Sequence, residues 1–240
     1  MEKLLAESLV NQACSQIEHM VREMTPANNR LPSEDELAQM MGISRPTVRE
    51  ALKRLIRDGY ITSSHGRGTF GHPAVFDVKN RIDLHTNFSE LLESQYNDVK
   101  VDVQHLGIMD SSESYTRYTG HSPEKVYAML WRYSADGKPM IHGSFEFPLN
   151  VFRVMPDPAD TVHDLNLFSK KYLYQPIAYV SMTLRCKKYA PAANWLGLPE
   201  DTAMLSWKEI IRNIEDYPVG FARFYVHPDN LQMSVVAHFG

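Results

Sequence analysis

The chain has 240 residues, a net charge of −4 and two cysteines. This length accommodates two domains, and two cysteines are too few for a disulfide framework or a metal-ligand spacing. We therefore expect Cys14 and Cys186 to be buried thiols in a reducing cytoplasm. No apolar run approaches the roughly 18 residues of a membrane span, and the start of the chain is typical of an amphipathic helix rather than a secretory signal.

The charge is distributed unevenly along the chain. Residues 1–70 contain nine basic and nine acidic side chains, so the remainder carries the whole negative excess. Any affinity for nucleic acid must therefore come from a local basic patch and not from the net charge.

Residues 4–24 are predicted to form the first helix. Apolar side chains recur there at helical spacing, and the following stretch, 25–29, contains Pro26 and interrupts the pattern. The apolar positions are Leu5, Leu9, Val10, Ala13, Ile17, Met20 and Val21.

A short second helix should begin after Ser33. Ser33 and Glu36 have the spacing of a capping box, in which each satisfies a backbone amide of the other. Gly42 can adopt the left-handed conformation that ends a helix and opens a tight turn. The predicted apolar stripe of this helix consists of Leu37, Met40 and Met41.

The third predicted helix is divided by face. Ser44 is its expected N-cap, and Pro46 falls in the first turn, where a missing N–H matters little. Its inner stripe is Val48, Ala51, Leu52 and Leu55, and its outer stripe is Arg45, Arg49 and Lys53. Residues 44–57 contain five basic side chains and one acidic side chain, so this helix is strongly cationic.

Residues 59–70 read as two β-prone stretches on either side of a Gly-rich basic turn, the pattern of a wing. A helix, a turn at Gly42, a cationic second helix and a basic wing together predict a winged helix-turn-helix that reads DNA. Each piece alone has an ordinary interpretation, since a basic helix face is usually a solvated surface and a Gly-rich turn is usually only a turn. Their occurrence in the right order favours DNA binding.

The segment resembles the GntR family of bacterial transcription regulators. Its letters LPSE-x-ELA, SR-x-TVREAL and G-x-G-T, within residues 31–70, carry the resemblance. The resemblance implies contacts to double-stranded operator DNA, and arginine can pair bidentately with guanine. The implied DNA-binding residues are Ser44, Arg45, Thr47, Arg49, Lys53, His65, Gly66 and Arg67. Asp35 departs from the family, because many relatives have an arginine there, so either Asp35 points away from DNA or the operator differs.

The rest of the chain shows an α+β pattern. Residues 135–138 contain an Asp-Gly pair typical of a hairpin turn. Helices are predicted at 88–95, 111–120, 161–172 and 190–197, and strands at 99–109, 126–134, 140–147, 177–187, 203–214, 219–226 and 233–239. These elements favour an antiparallel sheet with helices on one side or at its ends.

This layout resembles the UTRA effector domain of the HutC subfamily, which has a chorismate-lyase-like fold. The resemblance rests on the ADGKP turn at 135–139, the Phe147-Pro148 pair and the YVHPD segment. We therefore expect an α+β protein with a winged helix-turn-helix domain at 1–71, a linker at 72–87 and an antiparallel-sheet domain for effector binding and dimerisation at 88–240.

The chemistry expected of the ligand follows from two positions where this chain departs from the sequence pattern of the subfamily. Sugar-phosphate sensors of the subfamily often have glutamates where an ungapped count puts Gly143 and Gly220, and they have an Arg-x-Arg pair where this chain has Trp131-Arg132-Tyr133. The loss of carboxylates favours a small anion, which arginines bind well. The predicted effector-binding residues are Arg132, His142, Ser144, Arg185, Arg223 and Tyr225, with His227 and Tyr133 nearby. A structural ion pair for each arginine, and a core or surface role for each histidine, remain open.

Three functions remain at this stage. The first is a homodimeric, ligand-responsive regulator, expected to be a repressor, on a near-palindromic operator. The second is an enzyme with a lyase-like domain, although the sequence shows no nucleophile–base motif, metal spacing or cofactor loop. The third is an architectural DNA binder, which would not need so large a second domain. We expect no metal, no cofactor and no catalytic residues.

Overall fold

The computed structural model describes residues 8–25, 27–84 and 87–237. These residues form two compact units. The first unit combines the described residues up to 84 with 233–237, and the second comprises 87–232. The two units are described separately below.

Three helices and a two-stranded hairpin make up the first unit. They are α1 (Leu9–Arg22), α2 (Glu34–Met41), α3 (Arg45–Arg57), β1 (Ile61–Ser64) and β2 (Gly68–Gly71), the last two antiparallel. The first helix was expected to begin at residue 4, but residues 4–7 lie outside the described residues. Within the described part, α1 begins after Ser8, whose side chain accepts a hydrogen bond from the Asn11 amide at 3.3 Å.

The predicted caps of α2 and α3 are confirmed. Ser33 and Glu36 form the reciprocal capping box, with the Ser33 amide donating to the Glu36 carboxylate at 2.7 Å. Gly42 ends α2 with φ of +64°, a conformation that residues with a Cβ rarely adopt. Ser44 then caps α3 by accepting a hydrogen bond from the Thr47 amide. The turn between the two helices is therefore short and fixed at both ends.

The core of this unit lies between the three helices. The four predicted inner residues of α3 are all buried, against Leu37 of α2 and Ile17 of α1. The expectation for Met40 is wrong, because its side chain is 65% exposed. Ala38 is buried instead, and at 100° per residue Met40 lies about 160° around the helix from Ala38.

The predicted linker, 72–87, has structure of its own in its described part. Pro73–Asp77 is a 3-10 helix, and Arg81, only 5% exposed, donates a hydrogen bond to the Asp58 carbonyl at 2.7 Å. Ser234 pairs with this segment, because its amide donates to the Asn80 carbonyl and its carbonyl accepts from the Ile82 amide. A parallel bridge joins Arg81 and Ser234.

The prediction of a strand at 233–239 is therefore wrong for the part of this segment that is described. Residues 233–237 form only the bridge at Ser234 and belong to the first unit, while residues 238 and 239 lie outside the described residues. The hydrogen bonds of this segment with residues 80–83 form a pairing too short to be a strand.

The second unit is built on a six-stranded antiparallel sheet with the strand order β3-β4-β5-β8-β7-β6. Its strands are β3 (Val99–Asp110), β4 (Lys125–Ala135), β5 (Lys138–Pro148), β6 (Ile177–Lys187), β7 (Met204–Asn213) and β8 (Pro218–Val226). Its helices are α4 (Phe88–Glu93), α5 (Glu113–Thr119), α6 (Leu165–Tyr172) and α7 (Ala190–Leu196), and Leu149–Val151 is a 3-10 helix. The α+β fold with an antiparallel sheet is thus confirmed.

Two local features show how the sequence sets these elements. Asp136 and Gly137 both have positive φ, 47° and 74°, which is the backbone of the type I′ hairpin turn that Asp-Gly favours. The helix predicted from residue 161 begins only at Leu165, because the Asp164 carboxylate caps it by accepting a hydrogen bond from the Leu167 amide at 2.7 Å.

The two faces of the sheet differ in chemistry. One, the apolar face, contains Trp131, Phe145, Trp207 and Phe224, all buried. Phe88 of α4 lies against it, with its ring centroid 4.8 Å from those of Trp207 and Phe224. The opposite face, the polar face, has α7 packed on Met204 and Tyr225, and has α5 packed through the stacking of Tyr118 on Phe221.

Candidate nucleic-acid interface and ligand site

The outer side of α3 presents the predicted cations to solvent. Arg45, Arg49 and Lys53 are all exposed. At the start of the helix, the hydroxyls of Ser44 and Thr47 lie 2.7 Å apart. The cap that begins α3 and the cations that follow it therefore share one exposed surface.

Both arginines at the start of α3 are paired with carboxylates of α2. Arg45 Nε lies 2.8 Å from Asp35, and Arg49 donates to Glu34 from Nη2 at 2.7 Å and from Nε at 3.1 Å. The hydrogen bond from Arg49 lowers the pKa of Glu34 below its usual range. Asp35 thus neutralises Arg45 in the free protein. Exposed pairs of this kind are weak, so a phosphate or a base edge can replace the carboxylate.

The wing places its predicted residues at the tip of the β1–β2 hairpin. His65, Gly66 and Arg67 are exposed, and Gly66 has φ of +72°. Arg30 was missed by the sequence reading. Its guanidinium packs over Gly68, where a Cβ would lie 3.0 Å from Nε, and an isolated bridge to Phe70 holds its backbone. No local motif marks Arg30, because the contact depends on pairing between distant segments.

The candidate ligand site is a pair of residue rows on the polar face. Residues paired across antiparallel strands point to the same side of the sheet, so the strand register assigns the rows. The first row crosses all six strands through Asp102, Arg132, His142, Tyr225, Ser206 and Arg185. The second row crosses them through Gln104, Leu130, Ser144, Arg223, Lys208 and Thr183.

All six predicted effector residues lie in these two rows, but they do not form one cluster. Arg132 and Arg185 are four strand spacings apart, or about 19 Å. Arg185 is also exposed on the edge strand β6. A small ligand held by Arg132 therefore cannot be shared with Arg185. Arg132 and Arg185 lie at opposite ends of the rows, with His142, Ser144, Arg223 and Tyr225 between them. Arg185 is diagonally opposite Lys208 on the neighbouring strand.

Lys208 is the central cation that the sequence reading missed. It is only 6% exposed, its Nζ lies 3.4 Å from the centroid of the Tyr118 ring, and its interaction with the Tyr118 hydroxyl lowers the pKa of that phenol. Its Nζ has no hydrogen-bond acceptor at normal distance and angle among the described residues. It stands opposite Arg223, which is 3.5 Å from the Glu146 carboxylate. Like charges on opposite strand positions are unfavourable, so this pair is suited to an anion. A lysine between Trp207 and Glu209, in the middle of a predicted strand, was the available signal.

His142 occupies the neighbouring position of the first row. Burial, together with the positive charge of Arg132, lowers the pKa of its imidazole to about 4. The ring is therefore neutral at neutral pH, and its Nδ1 has no partner among the described residues. Arg132 lies 3.6 Å from Asp102, and its guanidinium carbon is 5.9 Å from the Trp195 ring centroid. This end of the site offers one cation, one neutral imidazole and an indole.

Residues 9–70 match the family model described as bacterial regulatory proteins, gntR family. The N-terminal winged helix is a gntR-family domain. A fatty acid metabolism regulator protein from Haemophilus influenzae is 48% identical over 48 residues, which cover 20% of each chain. A regulator of the same name from Shewanella frigidimarina is 29% identical over 131 residues, and this match spans about half of each chain, 52%.

The sheet unit that follows the gntR-family domain also has solved counterparts. The chain is similar to YydK from Bacillus subtilis, a possible transcriptional regulator, with a TM-score of 0.76, 18% identity and coverage of 97% of this chain and 100% of that one. At this identity the likeness concerns the fold. It supports an antiparallel-sheet unit joined to the gntR-family domain.

Several expectations for the sheet unit are wrong. Gly143 and Gly220 lie on the apolar face, where an added Cβ would be 2.7 Å from Phe224 and from Phe147, respectively. A glutamate there would enter the core, so their lack of a carboxylate says nothing about the ligand. Tyr133 is also on the apolar face, where burial raises its pKa. His227 has a structural role, because its Nδ1 accepts hydrogen bonds from the amides of Asp229 and Asn230.

The cysteines differ from expectation too. Cys186 is exposed, and Cys14 is half-buried, with a pKa raised by burial. Within residues 8–25, 27–84 and 87–237, no group of three or more His, Cys, Asp or Glu side chains is placed to hold a metal ion. In the same described part of the chain, no helix has the length and apolar character needed to cross a membrane.

Proposed function

We propose that the protein is a ligand-responsive transcription regulator, a repressor that binds a near-palindromic operator as a homodimer and responds to a small anionic metabolite. The observation that carries the proposal is the presence, in one chain, of a gntR-family domain with exposed cations on α3 and a sheet with a buried Lys208 that has no carboxylate partner among the described residues. The site of action is the cytoplasm, where the operator is.

The DNA contacts are assigned to the surface that α3 and the wing share. Arg45 and Arg49 reach base edges in the major groove, and Lys53 contacts phosphate. Ser44 and Thr47 contact the backbone at the start of the helix. The wing adds His65, Gly66 and Arg67, with Arg30 beside them. Exposure of these side chains and the weak pairing of the two arginines support this assignment.

The ligand is assigned to the middle of the polar face. Its anionic group lies between Lys208 and Arg223, where Ser144 and Tyr225 provide hydroxyls, and its remainder extends towards His142 and Arg132. The support is the close placement of two cations with one carboxylate, Glu146, at 3.5 Å from Arg223. We propose that the sheet unit is a UTRA effector domain of the HutC subfamily, as the resemblance in sequence implies. The relatives named as fatty acid metabolism regulators match at most about half of the chain, so their name assigns no ligand.

Ligand binding should change operator affinity through a coupling free energy of about 1–3 kcal/mol, or about 5- to 150-fold. One winged domain buries only roughly 600–1,000 Å² on DNA, so two copies are needed for a long site with half-sites about one helical turn apart. We propose binding and not turnover of the ligand. Incubation of the protein with the ligand, followed by mass analysis, should return the ligand unchanged, whereas loss of the ligand would favour a lyase-like enzyme.

The DNA assignment is tested by gel-shift titrations on operator and random DNA at two salt concentrations. Arg49→Ala should weaken operator binding much more than random-DNA binding, because a bidentate base contact contributes about 1–3 kcal/mol of discrimination. Lys53→Ala is the matched control, and it should weaken both and lower the salt slope by about one. Equal losses on both DNAs for Arg49→Ala would contradict base reading.

The ligand assignment is tested by a thermal-shift screen of small carboxylates, phosphate esters and phosphonates, with neutral sugars and amines as controls. Compounds that raise Tm should also release operator DNA in a gel shift. Lys208→Met and Arg223→Gln should abolish the response. Lys100→Gln, on the exposed edge strand β3 three strand spacings from β8, should leave it intact. Stabilisation by neutral sugars or amines alone would overturn the anionic ligand while leaving the regulator function in place.

A further inference from the structure

Two cavities meet at the end of the sheet where β5 and β7 finish and β8 begins. The outer cavity has a volume of about 490 Å³ and the inner one about 210 Å³. Asn150 and Tyr217 line both, so the two cavities form one continuous groove, which we call the end groove. Pro148, in its lining, is four residues from Ser144 along β5, or roughly 13 Å. The end groove is therefore separate from the ligand site on the polar face.

The inner cavity combines apolar and aromatic side chains. Val151, Leu173 and Val219 line it, and all three are buried. Two tyrosines of the same lining are open to solvent, Tyr174 at 69% exposure and Tyr217 at 39%. Aromatic rings beside aliphatic side chains offer flat contact surface of large area. This lining suits a planar head group that carries a short hydrocarbon chain.

The turn between β7 and β8 fixes one wall of the inner cavity. The side-chain oxygen of Asn213 accepts hydrogen bonds from the amides of Glu215 and Tyr217, at 3.1 Å and 2.9 Å. Asn213 is itself buried, and its side-chain nitrogen donates to Gln175. The Tyr217 ring also has an edge-to-face contact with His121, with 4.8 Å between the ring centroids. The backbone that carries Glu215 and Tyr217 is thus ordered before a ligand arrives, which lowers the entropic cost of binding.

The charge of the end groove is opposite to that of the polar face. Among the described residues that line the inner cavity, Glu215 alone carries a formal charge. The outer cavity contains Glu124 and Lys125, and the Lys125 ammonium lies 2.7 Å from the Asp110 carboxylate. The carboxylates of the lining therefore favour a cation in this groove, whereas the polar face favours an anion.

We propose that the end groove is a second ligand site, for a small guanidinium compound with a short alkyl chain. A guanidinium is planar and weakly hydrated, stacks on aromatic rings and donates two parallel hydrogen bonds to a carboxylate. Its head lies against Tyr174 and Tyr217 and donates to Glu215, and its alkyl chain covers the apolar lining. An ammonium is compact and strongly hydrated, so it gains less from this surface. The site goes beyond the proposed function, because it adds a ligand of opposite charge.

Calorimetric titration of the full chain tests the site with two probes of matched shape, n-butylguanidinium and its neutral analogue n-butylurea. The wild type should bind n-butylguanidinium at one site per chain and n-butylurea at least about tenfold more weakly, because only the cation makes a charge-assisted hydrogen bond. A third probe, n-butylammonium, should also bind more weakly. Equal binding of n-butylguanidinium and n-butylurea would contradict a cation site.

Substitution of Glu215 tests the carboxylate. Glu215→Gln should weaken n-butylguanidinium binding about tenfold and leave n-butylurea binding unchanged. Glu93→Gln is the matched control, since Glu93 is an exposed acid of the same unit on α4, outside the lining of the groove. Its affinity for the cation should equal that of the wild type. An equal loss in both variants would mean that the cation responds only to the net charge.

Substitution of the tyrosines tests the aromatic contact. Tyr174→Leu and Tyr217→Leu should each weaken binding of the cation about 2- to 5-fold, whereas Tyr174→Phe, which keeps the ring, should retain it. Thermal denaturation shows whether each variant is folded. Tyr174 is the more exposed of the two, so Tyr174→Leu tests the contact even where Tyr217→Leu unfolds the turn.

Lys208→Met separates the two ligand sites. It should leave n-butylguanidinium binding unchanged, because Lys208 lies on the polar face. Absence of n-butylguanidinium binding, or its loss in Lys208→Met, would overturn the end groove. Operator release by anions is measured on the same wild-type preparation. If anions release DNA and n-butylguanidinium does not bind, only the end groove fails. If n-butylguanidinium binds and no DNA is bound, only the regulator function fails.

Discussion

The cations of α3 and the cations of the polar face are held in opposite ways. Arg45 and Arg49 are exposed and have carboxylates of α2 at 2.8 Å and 2.7 Å. Lys208 is 6% exposed and has no carboxylate partner among the described residues. An exposed pair is weak and is easily exchanged for DNA, whereas a buried cation without a carboxylate partner lowers stability.

The comparison shows that the two surfaces differ in what it costs to leave a positive charge without a carboxylate partner. A DNA-reading surface can neutralise itself in the free state at little cost, because water already screens its charges. A ligand site on a sheet cannot, since an internal partner would occupy the place of the ligand. Loss of stability in the free protein is therefore an expected property of the ligand site and not of the DNA surface.

The largest effect should be the pH dependence of stability due to His142. Its folded pKa is about 4 and its ordinary value is 6.5, so the unfolded chain takes up the proton first as pH falls. The stability that the neutral imidazole contributes is complete above pH 6.5. It is lost as pH falls towards 4, by on the order of 3 kcal/mol. Over the same pH range, the free energy of unfolding of His142→Gln should fall less than that of the wild type. Urea unfolding at pH 7.5 and 4.5 measures the difference, and identical losses would contradict a buried neutral imidazole.

Glu209, on the apolar face, provides a control of opposite sign. Burial raises its pKa to about 7 from 4.5, with a smaller opposing effect of the hydrogen bond from Trp207. The stability that the protonated Glu209 carboxyl contributes is fully present below pH 4.5 and is lost as pH rises through 7. Glu209→Gln should therefore be more stable than the wild type at pH 8 and equal to it near pH 4.5. The same urea titrations extended to pH 8 check this.

A smaller effect is expected for Lys208→Met. Methionine fills a similar volume without a charge, so the free energy of unfolding should rise by about 1–3 kcal/mol. The stabilising anion should at the same time lose its effect on Tm. Lys53→Met is the control, because Lys53 is exposed and should change stability little. A fall in stability for Lys208→Met would show that the contact with Tyr118 outweighs the burial of the ammonium group.

The smallest change in stability is expected for Glu34→Gln combined with Asp35→Asn, which should stay within about 1 kcal/mol of the wild type. DNA affinity should rise several-fold, because Arg45 and Arg49 lose their competitors and two acids leave the interface. Glu23→Gln is an exposed control in the same domain. Gel shifts on random DNA provide the measurement, and weaker binding by the double variant would contradict competition.

The sequence predicted the first unit in detail because its signals are local. The capping box at Ser33, the turn at Gly42 and the inner stripe of α3 each depend on residues a few positions apart. Met40 was assigned wrongly because eight residues give too few turns to fix the buried side of a helix. Arg30 was missed because its contact with Gly68 crosses the chain.

The ligand site was predicted only in part, since it depends on strand register. The six chosen residues all fall in two rows, but the sequence could not show that Arg185 is about 19 Å from Arg132. Nor could it show on which face Gly143 lies, because a one-residue change of register reverses every side chain. Lys208 became visible only when its neighbours across the sheet, Arg223 and Thr183, were known.

The pairing of Ser234 with residues 80–82 has a consequence for biosynthesis. The first unit is discontinuous in the sequence, because 233–237 join it after the whole sheet unit has been made. During translation the gntR-family domain can fold its helices early. The segment around Arg81 can form its hydrogen bonds with Ser234 only after residue 234 has been synthesised. All residues of the sheet unit are therefore synthesised before the last described residues of the first unit.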